Sequence, residues 1–229
     1  MLPLHDNVPT RSFPLVTVGL IVTNFLVWFW ELSGGRFERH VVDYSYYPCS
    51  VTDSCLHGAG HLQYWESAFT SLFMHASWAH ILGNMLFLWI FGNNVEDAMG
   101  HLRFLVFYLC AGLAAAALQT FITLHQSSDA GASIPNLGAS GAIAGVLGAY
   151  FVLLPNARVV TLLFGFLPWR LSAAVFLGFW FLFQLWQGGF SLTQPNSGGG
   201  VAFAAHVGGF LFGALTVRAF QVRAPLRPR

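Results

Sequence analysis

A serine set between glycines, Gly138-Ala139-Ser140-Gly141, and a distant histidine, His206, are the residues here whose types could carry out nucleophilic chemistry. A serine hydroxyl is a poor nucleophile until a base takes its proton, and histidine is the usual base near neutral pH. The serine alone fits a turn or helix N-cap equally well, since Ser caps helices and Gly frees the backbone. Its spacing is G-x-S-G, not the G-x-S-x-G of soluble hydrolases, and an apolar segment follows it. His80 and Asn84 stand at i and i+4, so they share one helix face. With the Ser140 backbone N–H they could offer three donors to the oxyanion of a tetrahedral intermediate. They also fit a hydrogen bond between helices, and His75, His80 and His206 fit a zinc site, which takes three or four such ligands. No carboxylate stands at comparable depth to orient His206. The expected unit is therefore a Ser140–His206 dyad rather than a triad, and no metal is expected at it.

The elements that must position these groups are apolar. Of 229 residues, 55% are hydrophobic and 8% charged, where a soluble domain carries about 25% charged residues. All ten basic residues are Arg, and a net charge of +1 leaves no footprint for nucleic acid. The pattern predicts an all-α, polytopic membrane protein with six transmembrane helices in one domain over 14–217. A polar segment, 1–13, precedes the domain and a basic tail, 218–229, follows it. The spans are expected at about 14–31, 77–96, 104–124, 138–154, 171–190 and 201–217. The first is read as a span rather than a signal peptide because no A-x-A-like cleavage site ends it. Val159–Leu167 is apolar but short, and is expected to lie at the interface. Tyr44, Tyr46, Tyr47, Tyr64 and Trp65 give the first long loop the aromatic character of a membrane interface.

Six spans put both termini on one side. Arg11, Arg103, Arg158, Arg170, Arg218, Arg223, Arg227 and Arg229 then share that side, and Arg36 and Arg39 lie opposite. Eight against two fits cytoplasmic termini under the positive-inside rule, and the cell (plasma) membrane is the expected location. Spans two, four and six all run inward, and His80, Ser140 and His206 each stand near the start of their span, at similar depth in the outer half. From Ser140 to Leu154 is 15 residues, about 22 Å of helix against a core of about 30 Å. The hydroxyl should thus lie several ångströms below the outer surface, where it needs a polar partner or a wet cavity.

Packing must bring the two helices together. Gly209 and Gly213 share the stripe of His206, and Ala144 and Gly148 that of Ser140, so small residues face each other and permit close approach. The same pattern fits simple small-residue packing around a structural histidine. Cys49 and Cys55 lie in an outer loop, where oxidation is permitted, and a disulfide is expected, with His57 and His61 nearby leaving a metal alternative. Cys110, within span three, should stay free.

The chain resembles the rhomboid intramembrane serine proteases over about residues 65–217. Gly138-Ala139-Ser140-Gly141 with Gly145 is similar to the family's nucleophile motif, and Ala205-His206-Val207-Gly208-Gly209 with Gly213 to its catalytic-histidine motif. His80 to Asn84 resembles the H-x-x-x-N oxyanion motif, which Leu88 to Gly92 and Glu96 continue. Three motifs in the right order on the right spans are highly specific. The departure is Trp65-Glu66, where the family often has Trp-Arg. Catalytically dead relatives lack the Ser or the His, and both stand here. The resemblance implies hydrolysis of a peptide bond in or beside a substrate's transmembrane segment, through an acyl-enzyme. It implies transmembrane protein substrates and a lipid bilayer as partners and no cofactor, and leaves the oligomeric state open. It also implies that span five and the loop at Ser191–Gly200 move to admit substrate. The rival readings are a small transporter or channel, since intramembrane His and Asn mark ion paths, and a non-catalytic rhomboid-like protein. Internal repeats would favour a transporter, and none is found.

Overall fold

A computed structural model describes residues 1–56, 60, 62–126, 129–163, 165–193 and 202–228. His57, His61 and most of the glycine-rich stretch expected before the sixth span lie outside the described residues.

The elements run β1 (Leu2–Asp6), α1 (Leu15–Glu31), α2 (Phe37–Tyr44), α3 (Tyr64–Thr70), α4 (Trp78–Phe87), α5 (Asn93–Met99), α6 (His101–Gln126), α7 (Asp129–Ala132), α8 (Ser140–Leu153), β2 (Arg158–Leu163), β3 (Leu167–Ser172), α9 (Ala173–Thr193) and α10 (Phe203–Phe220). The protein is mostly helical. Among the described residues two helices, α6 and α10, are long and apolar enough to cross a membrane, and α1, α8 and the stretch Ala173–Gly188 of α9 are apolar but shorter. Large apolar side chains point outward all round, among them Leu26, Phe121, Phe179, Trp186 and Leu215. Water would not tolerate so broad an apolar surface, whereas lipid does. This is a membrane protein.

Helix boundaries follow from local chemistry. Ser77 caps α4 by accepting from the His80 N–H at 3.2 Å. α4 continues into α5 through one π-helical turn, Leu88–Gly92, so the second apolar segment is a single helix with a widened turn and runs to Met99. Gly100, with φ 78°, ends it. The orphan N–H groups at the start of α1 are met from that same helix. Glu96 accepts from Val16 N at 2.9 Å and from Thr17 N and Oγ1 at 2.7 Å. A carboxylate at a helix N-terminus also suits the helix dipole.

α8 is the central helix. Ten of its residues from Gly141 to Tyr150 are buried, and it packs most closely on α10 and then on α6. Phe91, Phe107, Tyr108 and Phe176 fill the core around it, together with its own Tyr150.

A small antiparallel sheet of order β1-β2-β3 adds to the helices and was not anticipated from the sequence. The apolar run Val159–Leu167 is not a lone interfacial segment. It forms most of a hairpin whose turn holds Gly165 at φ 84°, and the Val-Val-Thr run of β2 suits a strand. The terminal segment at 1–13 is likewise not plain polar chain, because β1 pairs with β2 and buries Pro3. Arg11 then binds Asp97 on α5 (N to Oδ1 2.9 Å, Nη1 to Oδ2 2.6 Å) and donates to the Ala224 carbonyl. Val222 N and Arg223 N donate to the Ala98 carbonyl. Both chain ends therefore meet at one end of α5.

Candidate active site

Ser140 is the first residue of α8 and Ala139 is the N-cap, so the hydroxyl is not spent on capping. It lies 2.8 Å from His206 Nε2 on α10. The approach rests on bare backbone. A Cβ on Gly209 would overlap the Gly141 carbonyl oxygen, and one on Gly213 would overlap that of Gly145. A Cβ on Gly148 would collide with the Phe210 carbonyl, and one on Gly141 would come 2.7 Å from Ala115 Cβ. The seam is thus built from Gly141, Gly145 and Gly148 against Gly209 and Gly213. Ala144 touches its edge, where a Cβ on Gly209 would lie 3.2 Å from Ala144 Cβ.

The far nitrogen of His206 is also engaged. Nδ1 lies 2.8 Å from Gln184 Oε1 on α9, and Gln184 is buried. The imidazole stacks obliquely on Trp180, one turn earlier on the same helix, with ring centres 5.9 Å apart. Sequence reasoning searched for a carboxylate in this position and missed the amide. The available clue was a single Gln within the otherwise apolar run Ala173–Trp186.

A second polar group faces the serine across a cavity of about 600 Å³ lined by His80, Asn84, Ser140, Trp180 and His206 among others. Ala76 N donates to His80 Nδ1 at 3.4 Å, which leaves the proton on Nε2. His75 donates from Nδ1 to the Phe73 carbonyl at 3.2 Å, so its Nε2 accepts from Asn84 Nδ2 at 3.0 Å. The second amide hydrogen of Asn84 remains for another acceptor. Behind His75 stands Glu31, fully buried, whose two carboxylate oxygens accept the His75 backbone N–H at 3.1 and 3.2 Å. The sequence marked Glu31 only as the end of a span, and its role in this network was missed. Gly138, at φ 123°, carries the chain past these groups, and a Cβ there would lie 2.7 Å from His80 Nε2. Only glycine combines that backbone angle with that closeness.

Such an arrangement can supply a nucleophile, a base and at least two donors around one cavity. Among the described residues no three His, Cys, Asp or Glu side chains converge as a metal site, and His75, His80 and His206 are not gathered around one point. Cys49 and Cys55 are joined in a disulfide with Cα atoms 4.9 Å apart, and Cys110 is free. Glu66, where the resemblance led to an expected Arg, accepts from the Gln63 N–H at 3.0 Å and closes a capping box at the start of α3.

Comparison with known proteins agrees in kind. A family profile described as "Rhomboid domain" matches residues 61–222. The chain is 31% identical to the bovine (Bos taurus) presenilin-associated rhomboid-like protein, mitochondrial, over 62% of this chain and 35% of that protein. It is 30% identical to the mitochondrial rhomboid protein 1 of Saccharomyces cerevisiae, over 63% of this chain and 39% of that one. With the rhomboid protease GluP of Bacillus subtilis the identity is 38%, over 42% of this chain and 17% of the other. The matches thus span little more than a third of the mitochondrial relatives' length. They also correct one expectation. Placement in the plasma membrane with cytoplasmic termini is not retained, since the bovine and yeast relatives are mitochondrial. Arginine bias reports which ends share a side, not which membrane they flank, so the sequence held no evidence for that choice. The profile covers 162 of the 229 residues, from 61 to 222, and the chain belongs to the rhomboid family.

Proposed function

We propose that this chain is an intramembrane serine endopeptidase that cuts a peptide bond in or near the transmembrane segment of membrane protein substrates. The observation that carries the reading is the 2.8 Å contact between Ser140 Oγ and His206 Nε2 at the edge of a cavity shared with His80 and Asn84. Six helical passes hold it, formed by α1, α4 with α5, α6, α8, α9 and α10, in one membrane domain over 14–217. Both termini lie on the arginine-rich side, and the dyad lies in the half of the bilayer away from them. The 14 residues of α8 span about 21 Å, short of a core of about 30 Å. Ser140 is therefore sunk below the far surface and water reaches it through the cavity.

Ser140 Oγ attacks the scissile carbonyl carbon while His206 Nε2 takes its proton. The carbonyl oxygen becomes an oxyanion facing the His80 Nε2–H, the free Asn84 amide hydrogen and the Ser140 N–H. Collapse breaks the C–N bond, and the leaving amine takes the proton from His206. Water, deprotonated by His206, then attacks the acyl-enzyme ester and releases the acid and Ser140. No metal or redox partner enters the balance. Incubating the purified protein with a panel of single-span substrates, and locating the cut by mass spectrometry, tests the reading. Cleavage by wild type and none by folded Ser140→Ala is expected. Equal turnover by Ser140→Ala contradicts it.

A further inference from the structure

We infer that Gln184 is a positioning residue, a neutral third member that sets the tautomer and orientation of His206. The inference rests on the protease reading above and deepens it. An imidazole that takes a proton on Nε2 must carry its resting proton on Nδ1. Gln184 Oε1, 2.8 Å from Nδ1, can only accept, so this contact selects that tautomer and leaves Nε2 free for the Ser140 hydroxyl at 2.8 Å. The same bond fixes the ring about its own axis. Trp180, four residues before Gln184 and so on the same face of α9, supports the flat side. One helix thus holds the edge and the face of the base, while α8 supplies the nucleophile.

The choice of an amide follows from its surroundings. A carboxylate would stabilise the imidazolium more, but an ionised group in an apolar membrane helix costs far more to bury than a neutral amide. Gln184 is buried at 6% exposure, inside a helix whose neighbours Phe181, Leu182, Phe183 and Leu185 are apolar. The carbonyl dipole offers part of the carboxylate's benefit without its charge. His80 is the ionisable neighbour of His206 across the cavity, and the Trp180 and Phe203 rings facing it are uncharged.

The test uses purified full-length protein, one cleaved substrate, and the pH profile of kcat/KM. Gln184→Met keeps the length of the side chain and loses the strong acceptor. It is expected to stay folded, keep KM and lose about tenfold to a hundredfold in kcat, with fluorophosphonate labelling of Ser140 slowed in proportion. Gln184→Glu restores the acceptor on a carboxyl, and should recover most of the turnover. Where that carboxyl ionises, the adjacent anion favours the imidazolium and the acid limb moves upward; a neutral carboxyl still offers its carbonyl oxygen to Nδ1. A wild-type kcat in Gln184→Met, or turnover in folded Gln184→Glu no higher than in Gln184→Met, overturns the inference. Should Gln184→Glu fail to fold, Gln184→Met decides alone through kcat and labelling rate. Failure here stays distinct from failure of the protease reading, which would show as normal cleavage by Ser140→Ala.

Discussion

The two sides of the candidate active site are held by opposite means. On one side α8 and α10 meet through glycine backbones, with carbonyl oxygens of Gly141 and Gly145 set where side chains of Gly209 and Gly213 would otherwise be. On the other, a chain of hydrogen bonds runs from Glu31 to the His75 backbone and from the His75 ring to Asn84. In lipid, apolar side chains give helices little reason to associate, so close van der Waals contact at small residues must do it. That fixes a distance well but directs no particular hydrogen. A hydrogen-bonded chain does direct one, and it fits the job of aiming an amide at a developing charge. The seam should fail by displacement and the network by misdirection or instability.

Breaking the seam gives the largest expected effect. Gly209→Leu drives a side chain into the Gly141 carbonyl and pushes α8 from α10 by an ångström or more. A misplacement of that size can cost about 10²-fold in rate, and Ser140 labelling should fall with it while the protein still inserts. Gly165 is unsuitable as a control, although it lies away from the dyad, because at φ 84° a leucine would be strained there. Gly19, exposed on α1 with nothing near its missing Cβ, serves instead, and Gly19→Leu should cleave at close to the wild-type rate. Wild-type cleavage by Gly209→Leu would show that the seam does not set the Ser–His distance.

On the network side Asn84→Ala should lower kcat with little change in KM, since its donor acts mainly in the transition state. The loss should stay below the 10²–10³ typical of one oxyanion donor, at about tens-fold, because His80 and the Ser140 N–H remain. An unchanged kcat would leave Asn84 as a structural link only. One bond further back, Glu31→Ala strands the buried His75 N–H. It should cost about 1–3 kcal/mol of stability, read as a lower midpoint of thermal unfolding in detergent, with a smaller loss of turnover than Asn84→Ala. A stable Glu31→Ala protein with catalysis worse than Asn84→Ala would invert the proposed order of the network. Smallest of all, reducing Cys49–Cys55 should cost about 2 kcal/mol in the chain-entropy account. That bond lies beside Tyr47 and Ala132, remote from both sides, so turnover per folded molecule should not change.

What could be read in advance divides along the same line. The helices and the Ser140, His206, His80 and Asn84 set were legible because polar residues in apolar runs are few and their i, i+4 spacing survives as geometry. The seam was legible in outline, since Gly209 and Gly213 recur at helical spacing, yet the stripe argument placed Ala144 and Gly148 opposite and passed over Gly145. Helical rotation decides that, and composition does not report it. Gln184 and Glu31 were missed for a different reason. Each looks unremarkable alone, as a lone amide and as the residue ending a span, and gains meaning only from a partner 22 or 44 residues away, on α10 for Gln184 and in the loop before α4 for Glu31. The sheet was missed because β1 supplies little apolar signal of its own, and its pairing with β2 joins segments at opposite ends of the chain.

The most direct test of the proposed dyad is site-localised labelling by a fluorophosphonate probe, which reacts with an activated serine and needs no knowledge of the substrate. Purified wild-type protein should take one label, and digestion should place it on Ser140. His206→Ala should abolish labelling while keeping the wild-type unfolding profile, and prior treatment with a metal chelator should change nothing. Labelling of Ser140 that survives in His206→Ala, or that disappears on chelation and returns with zinc, would contradict a Ser140–His206 dyad.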